Sequence, residues 1–226
     1  MVYFNGQYIE KSEVAISPED RGFLFADGVY EVIRAYEGSL FKCNEHLARL
    51  DYGLKELRIQ GCDAPGLEPV ANRLLKENSL EGGDATVYIQ VTRGAAPRTH
   101  RFPPSNIAPT VYVEAKPFSS PLQAQEEGAP AILVPDQRWA RCDLKAIALL
   151  PNILANQLAF ERGALEAIFS RAGVLQEGSH SSILFVKDDL LIFPPLTNYV
   201  LPSVTRSVVL SLAAHESIEA AIQPVR

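Results

Sequence analysis

Apolar and polar residues alternate from Thr86 to Thr92: Val87, Ile89 and Val91 interleave with Thr86, Tyr88, Gln90 and Thr92. That period of two predicts a strand covered on one face. Leu47, Leu50, Leu54 and Leu57 fall instead at three- and four-residue steps, one stripe of a helix for which Asn44 is the expected cap. A second helix is expected over about Leu67 to Asn78, and a strand over Thr110 to Ala115. Val2-Tyr3-Phe4 and Gln7-Tyr8-Ile9 flank Asn5-Gly6, a hairpin signal with a type I′ turn. Val29 to Tyr36 is rich in β-formers and meets Leu40-Phe41 across Glu37-Gly38, which predicts another hairpin. Gly94 to Pro109 is a long polar loop with four prolines, and ordered loops of that length tend to be functional.

Pro117-Phe118-Ser119-Ser120-Pro121 is the expected linker. It divides an N-terminal α+β domain (1–116) from a C-terminal α/β domain (122–226). In the second half, Ala131 to Val134, Glu166 to Ser170 and Gly173 to Gln176 are expected strands. Ile153 to Arg162 is an expected helix that stops at Gly163. Ile183 to Val186 and Leu190 to Phe193 flank Lys187-Asp188-Asp189 as a hairpin. A helix is expected to open at Leu201-Pro202-Ser203-Val204-Thr205-Arg206 and run to about Ala214.

The 226 residues are 47% hydrophobic and 21% charged, ordinary for a globular chain. A net charge of -6, with a pI near 5.3 and no basic run, argues against a nucleic-acid partner. No apolar run is long enough to cross a bilayer, so no membrane role is expected. The three cysteines, Cys43, Cys62 and Cys142, form no C-x-x-C pair, and the segment Met1 to Gly6 does not resemble a signal peptide. Reduced thiols in a cytoplasmic protein are the expectation.

Lys145 is the residue with most chemical promise. It lies between Arg138-Trp139-Ala140-Arg141-Cys142-Asp143-Leu144 and the apolar run Ala146 to Leu150, closed by Pro151-Asn152. Desolvation and neighbouring positive charge both lower an amine's proton affinity, and such an amine can condense with an aldehyde. By itself the pattern fits a solvated surface lysine better. Ser203-Val204-Thr205 at a helix start offers an anion site as well as an ordinary cap. Arg49 could add charge to that anion or lie on a solvated face. Glu177, in a turn, could pair with a protonated ring nitrogen. Arg98 and His100, in the long loop, suit a carboxylate. No phosphate-loop, dinucleotide or nucleophile-elbow motif occurs, and the four histidines lack metal-ligand spacing, so no metal is expected. Together these residues supply what pyridoxal phosphate and an amino acid require.

The same residues carry a family resemblance. Asp20-Arg21-Gly22-Phe23-Leu24-Phe25-Ala26-Asp27-Gly28-Val29-Tyr30-Glu31, Glu45 to Leu50, Arg93 to His100, Arg141 to Lys145 with Leu149 to Asn152, Glu177-Gly178-Ser179 and Leu201 to Arg206 resemble fold-type IV pyridoxal-phosphate aminotransferases, nearest the D-amino-acid branch. The resemblance implies a two-domain α/β (α+β) fold, a homodimer and transamination between a D-amino acid and a 2-oxo acid. It makes Lys145 the Schiff-base lysine and Glu177 the partner of the pyridine nitrogen. Arg49 with the Val204 and Thr205 amides would hold the phosphate, and Leu201 would pack near the ring. Tyr30, Arg98 and His100 would trap the substrate carboxylate, the last two reaching in from a dimer partner. Ser182 and Ser203 stand where the family usually has asparagine and glycine. The chain stops at Arg226, short of a segment that in the family adds a phosphate-binding hydroxyl, so the C-terminal part is expected to be incomplete. Aminodeoxychorismate lyase chemistry and a non-catalytic or truncated cofactor-binding protein are the alternatives.

Overall fold

The structure is a computed structural model and describes residues 1–226. The chain divides into two compact units, Met1–Ser120 with Leu144–Ala148, and Pro121–Asp143 with Leu149–Arg226.

The first unit starts from its turn. Asn5 and Gly6 both take positive φ, 46° and 91°, as a two-residue turn needs if the strands are to keep their right-handed twist. β1 (Val2–Phe4) and β2 (Gln7–Ile9) pair across it. They join β3 (Gly28–Tyr36), β4 (Ser39–Leu40), β5 (Asp84–Thr92) and β6 (Thr110–Pro117) in an antiparallel sheet of order β2-β1-β6-β5-β3-β4. The period-two pattern sets one face. Ala85, Val87, Ile89 and Val91 of β5 are buried, as are Val29, Ile33 and Ala35 of β3. α2 (Cys43–Glu56) brings Leu47, Leu50 and Leu54 to this core, and α3 (Leu67–Glu77) brings Val70, Ala71, Leu74 and Leu75. Burying a side chain of this size contributes about 1.5–3 kcal/mol, so the shared face holds sheet and helices together.

β4 is short and leaves the Gly28 end of β3 with an open edge. Leu144–Ala148 fills it. Val29 lies opposite Ala146, the Tyr30 amide donates to the Lys145 carbonyl at 2.9 Å, and the Ile147 amide donates to the Gly28 carbonyl at 3.1 Å. Residue 145 was expected in the C-terminal part; its backbone pairing groups it with the first unit instead.

Three other boundaries differ from expectation. α2 starts at Cys43 after Lys42, which takes the left-handed conformation (φ 55°) and makes no side-chain cap bond. Asn44 is thus an exposed first-turn residue and not a cap. Pro117 still pairs with Ala85 in β6, and the Phe118 amide donates to the Asp84 carbonyl at 2.9 Å, so the first two residues of the expected linker extend the sheet and the units divide between Ser120 and Pro121. Short α1 (Arg21–Phe25) carried no periodic signal; the Asp20 side chain caps it by accepting from the Gly22 amide.

The second unit contains α4 (Leu122–Glu127), β7 (Ala131–Pro135), α5 (Leu150–Glu161), β8 (Glu166–Arg171) and β9 (Val174–Gly178). It continues with β10 (Phe185–Lys187), β11 (Leu190–Phe193), α6 (Val204–His215) and β12 (Ala220–Ile222). Two three-stranded sheets result, β7-β8-β9 and β10-β11-β12. β7 and β8 are parallel, joined through α5, whose Ala155 and Ala159 pack with Val134, Ala167 and Phe169. α5 begins three residues before the expected Ile153 because Pro151 sits in its first turn, where a missing N–H costs nothing. No helix is long and apolar enough to cross a membrane.

Candidate active site

Alternation along β3 places neighbouring residues on opposite faces of the first sheet. Tyr30 points away from the helices, and the Lys145 amine lies 4.3 Å from the centroid of its ring. Lys145 is half-buried. The Tyr88 ring is 5.9 Å from Tyr30, and burial, with Tyr30 beside it, pushes its phenol up to about 12. Its hydroxyl therefore stays neutral and donates to Gln90 Oε1 at 2.5 Å. Of the expected site residues in this unit, the fold brings together Tyr30 and Lys145.

Glu31 occupies the buried face, where alternation calls for an apolar residue, and is fully buried. Arg49 of α2 donates from Nε to Oε1 at 2.6 Å and from Nη2 to Oε2 at 2.9 Å. His46, one turn earlier, lies 2.8 Å from Oε2 through Nδ1. Burial acts to raise the Glu31 carboxyl, but Arg49 and His46 outweigh it and hold it below the usual carboxylate range. Sequence reasoning gave Arg49 a phosphate and Glu31 no role. The signal was present: a carboxylate within the buried set Val29, Glu31, Ile33, Ala35, opposite a helix carrying His46 and Arg49 beside its leucines.

Arg98 and His100 are exposed and gather at Phe25 of α1, with Arg98 Cζ at 5.1 Å from the ring centroid and the His100 ring at 5.6 Å. Their loop is fastened by buried charge. Arg21 donates to the Thr99 carbonyl at 2.7 Å; Arg21 and Arg93 both bind Asp27; Thr92 and Thr110 both donate to Asp20 Oδ2. Burial raises Asp27, yet Arg93 and Arg21 bring it below the ordinary range. Gly94 permits the loop's closest approach: its φ is +89°, and a Cβ there would fall 2.0 Å from the Ala108 carbonyl oxygen. Asp20, Arg21 and Asp27 thus act as the fastening of the loop.

In the second unit Glu177, at the end of β9, is buried. Arg138 Nη1 donates to Oε1, and the Leu201 amide donates to Oε2 at 3.0 Å. Burial pushes the Glu177 carboxyl up, and Arg138 only partly counters it. Beyond Leu201, Ser203 caps α6 by accepting from the Arg206 amide at 3.1 Å. The Val204 and Thr205 amides occupy the first turn, where a helix offers its own N–H groups no acceptor and a partial positive charge favours an anion. Glu177 and Leu201 are therefore brought together, with the head of α6 following directly.

One expectation is corrected. Arg138 and Arg141 were taken as bare cationic neighbours of Lys145. Both are matched by acids within the second unit, Arg138 by Asp136 and Glu177, and Arg141 by Asp143. No group of three or more His, Cys, Asp or Glu side chains is placed to hold a metal ion.

The first unit thus holds a half-buried amine against a tyrosine, and the second a buried carboxylate beside a helix start. Residues 28–226 match the model of the family described as amino-transferase class IV, and the chain belongs to that family. It is 39% identical to the D-alanine aminotransferase of Staphylococcus haemolyticus, over 96% of this chain and 77% of that protein. It is 40% identical to that of Bacillus licheniformis, over 96% of this chain and 76% of that protein. In fold it is similar to the branched-chain amino acid aminotransferase of Escherichia coli, with a TM-score of 0.90 at 24% identity, covering 99% of this chain and 77% of that one. It is also similar in fold to a hypothetical aminotransferase from Mycobacterium tuberculosis in its PLP-bound form, with a TM-score of 0.87 at 20% identity, covering 100% of this chain and 82% of that one.

Class IV aminotransferases use pyridoxal phosphate. The donor set here fits that group chemically: an amine for an aldehyde at Lys145, a carboxylate for a ring nitrogen at Glu177, and first-turn amides for a phosphate at Val204 and Thr205.

Proposed function

We propose that this chain transfers an amino group from a D-amino acid to a 2-oxo acid, with D-alanine as a substrate, and that Lys145 is the residue that does the chemistry. The observation that carries this is Lys145 itself: a half-buried amine, pinned by backbone pairing to β3 and set 4.3 Å from the Tyr30 ring. The 39–40% identity to D-alanine aminotransferases over nearly the whole chain supports the substrate class.

Pyridoxal phosphate, when bound, supplies an aldehyde that exchanges amines and a cationic ring that takes up electrons. Lys145 Nζ would hold the aldehyde and would carry the substrate's α-proton. Glu177 would hold the proton at the ring nitrogen. The Val204 and Thr205 amides would bind the phosphate, with Arg49, whose guanidinium plane Glu31 fixes. Leu201 would pack by the ring and exclude water. Tyr30, Arg98 and His100 bind the substrate carboxylate, Arg98 and His100 as contributions from the second copy of a homodimer. The three cysteines are free, two of them buried, in keeping with a reducing, cytoplasmic setting.

Lys145→Ala tests the assignment. With D-alanine and 2-oxoglutarate, turnover is expected to fall by about 10²–10⁴-fold or more, and borohydride is expected to fix cofactor mass to the native chain but not to the variant. Normal turnover in the variant would refute the role of Lys145. Aminodeoxychorismate in a parallel tube separates transaminase from lyase.

A further inference from the structure

The second unit contains a buried charge cluster that the assignments above do not use. We infer that Arg138 is a positioning residue for the reaction: it holds Glu177 as an oriented carboxylate, and Asp136 with Arg171 fixes Arg138 so that it can. The inference rests on the reading of Glu177 as the ring-nitrogen partner.

Arg138 reaches Glu177 with one arm only. Its Nε donates to Asp136 Oδ1 at 2.9 Å and its Nη2 to Asp136 Oδ2 at 3.0 Å. Nη2 also donates to the Tyr199 carbonyl at 3.0 Å, and Nη1 donates to Glu177. The guanidinium lies 4.3 Å over the Phe169 ring. Asp136 is held in turn. Its Oδ1 accepts the Arg138 amide at 3.0 Å and its Oδ2 accepts Arg171 Nε at 3.2 Å. Arg171 then donates to the Arg138 carbonyl at 2.9 Å and stacks on Tyr199. All three guanidinium nitrogens of Arg138 are engaged, which fixes the plane of the group.

The charges balance only with Glu177 ionised: two guanidinium groups face two carboxylates. Without Arg138, Asp136 would keep only the more exposed Arg171, which makes no ion pair with Glu177. Cys142 lies beside the cluster as well; its thiol is pushed up to about 11 chiefly by burial and stays neutral. A carboxylate offers about four acceptor positions. Arg138 and the Leu201 amide occupy two of these, one on each oxygen, which leaves two open to further donors.

The Glu177 proton can be followed directly. Infrared difference spectra of the full chain against Glu177→Gln report the pH at which the carboxyl ionises. Arg138→Gln is expected to raise that midpoint by about one pH unit or more, and Arg138→Lys to restore most of the shift. Asp136→Asn removes the anchor of Arg138 and is expected to broaden the Glu177 carboxylate stretch, which a fixed partner keeps narrow. A folded Arg138→Gln protein with an unmoved midpoint overturns the inference. If Arg138→Gln does not fold, an unbroadened Glu177 carboxylate band in Asp136→Asn overturns it. The pH dependence of bound-cofactor absorbance separates this from the reading it rests on. An infrared shift without an absorbance shift leaves Arg138 as the holder of Glu177 but removes Glu177 from the ring nitrogen.

Discussion

Glu31 and Glu177 are both buried glutamates paired with an arginine, yet the two move in opposite directions. Glu31 lies below the ordinary carboxylate range and Glu177 above it. The difference lies in how completely each is matched. Glu31 receives two bonds from Arg49 and a third from His46. Glu177 receives one bond from Arg138, whose other arms belong to Asp136 and Tyr199. Desolvation is the largest influence on both. Partner number decides the sign. Glu31 is a settled ionic anchor, whereas Glu177 gives up its proton less readily than an ordinary carboxyl.

The largest way to break the comparison is Glu31→Ala. It strands the Arg49 guanidinium in a buried position and is expected to cost about 3–5 kcal/mol by urea denaturation. Acid unfolding sharpens it next. A lowered carboxyl contributes stability that is present above the unfolded pKa and lost as pH falls through the folded one. Glu31→Gln is therefore expected to flatten the loss of stability as pH drops below the ordinary glutamate value of 4.5. For Glu177 the sign reverses: its raised carboxyl favours the fold at low pH and ceases to do so as pH rises through the folded value. Glu177→Gln is expected to make acid unfolding steeper, measured by circular dichroism across pH. An equal response in the two variants would remove the distinction.

The smaller effects test how backbone groups are held in each unit. Ser203→Ala removes the side-chain cap of α6 and is expected to cost about 1 kcal/mol, read as a lower Tm. Asn44→Ala is expected to stay within about 0.5 kcal/mol of the native chain, because Asn44 is exposed and caps nothing.

The strands and helices with clear period were legible in the sequence. β3, β5, α2 and α3 lie where alternation and leucine spacing predict them. α1, α4 and β12 are too short for any period to register. α2's start was misjudged because Lys42, not Asn44, turns the chain. The site residues were legible as residue types and by family resemblance, but their partners were less so. Glu31 could have been found from its place in a buried alternation. Arg138 could not: it lies in an irregular segment after β7, and its contacts with Glu177 and Tyr199 span 39 and 61 positions of chain.

The brevity of β4 carries its own consequence. Only Ala35 and Tyr36 pair with it, and the Lys145 segment occupies the same edge of β3 near Gly28. A hairpin arm longer by a few residues would zip down that edge and evict the tenant. Elongating the Glu37-Gly38 hairpin would thus displace the Lys145 amine without altering a single atom of its side chain.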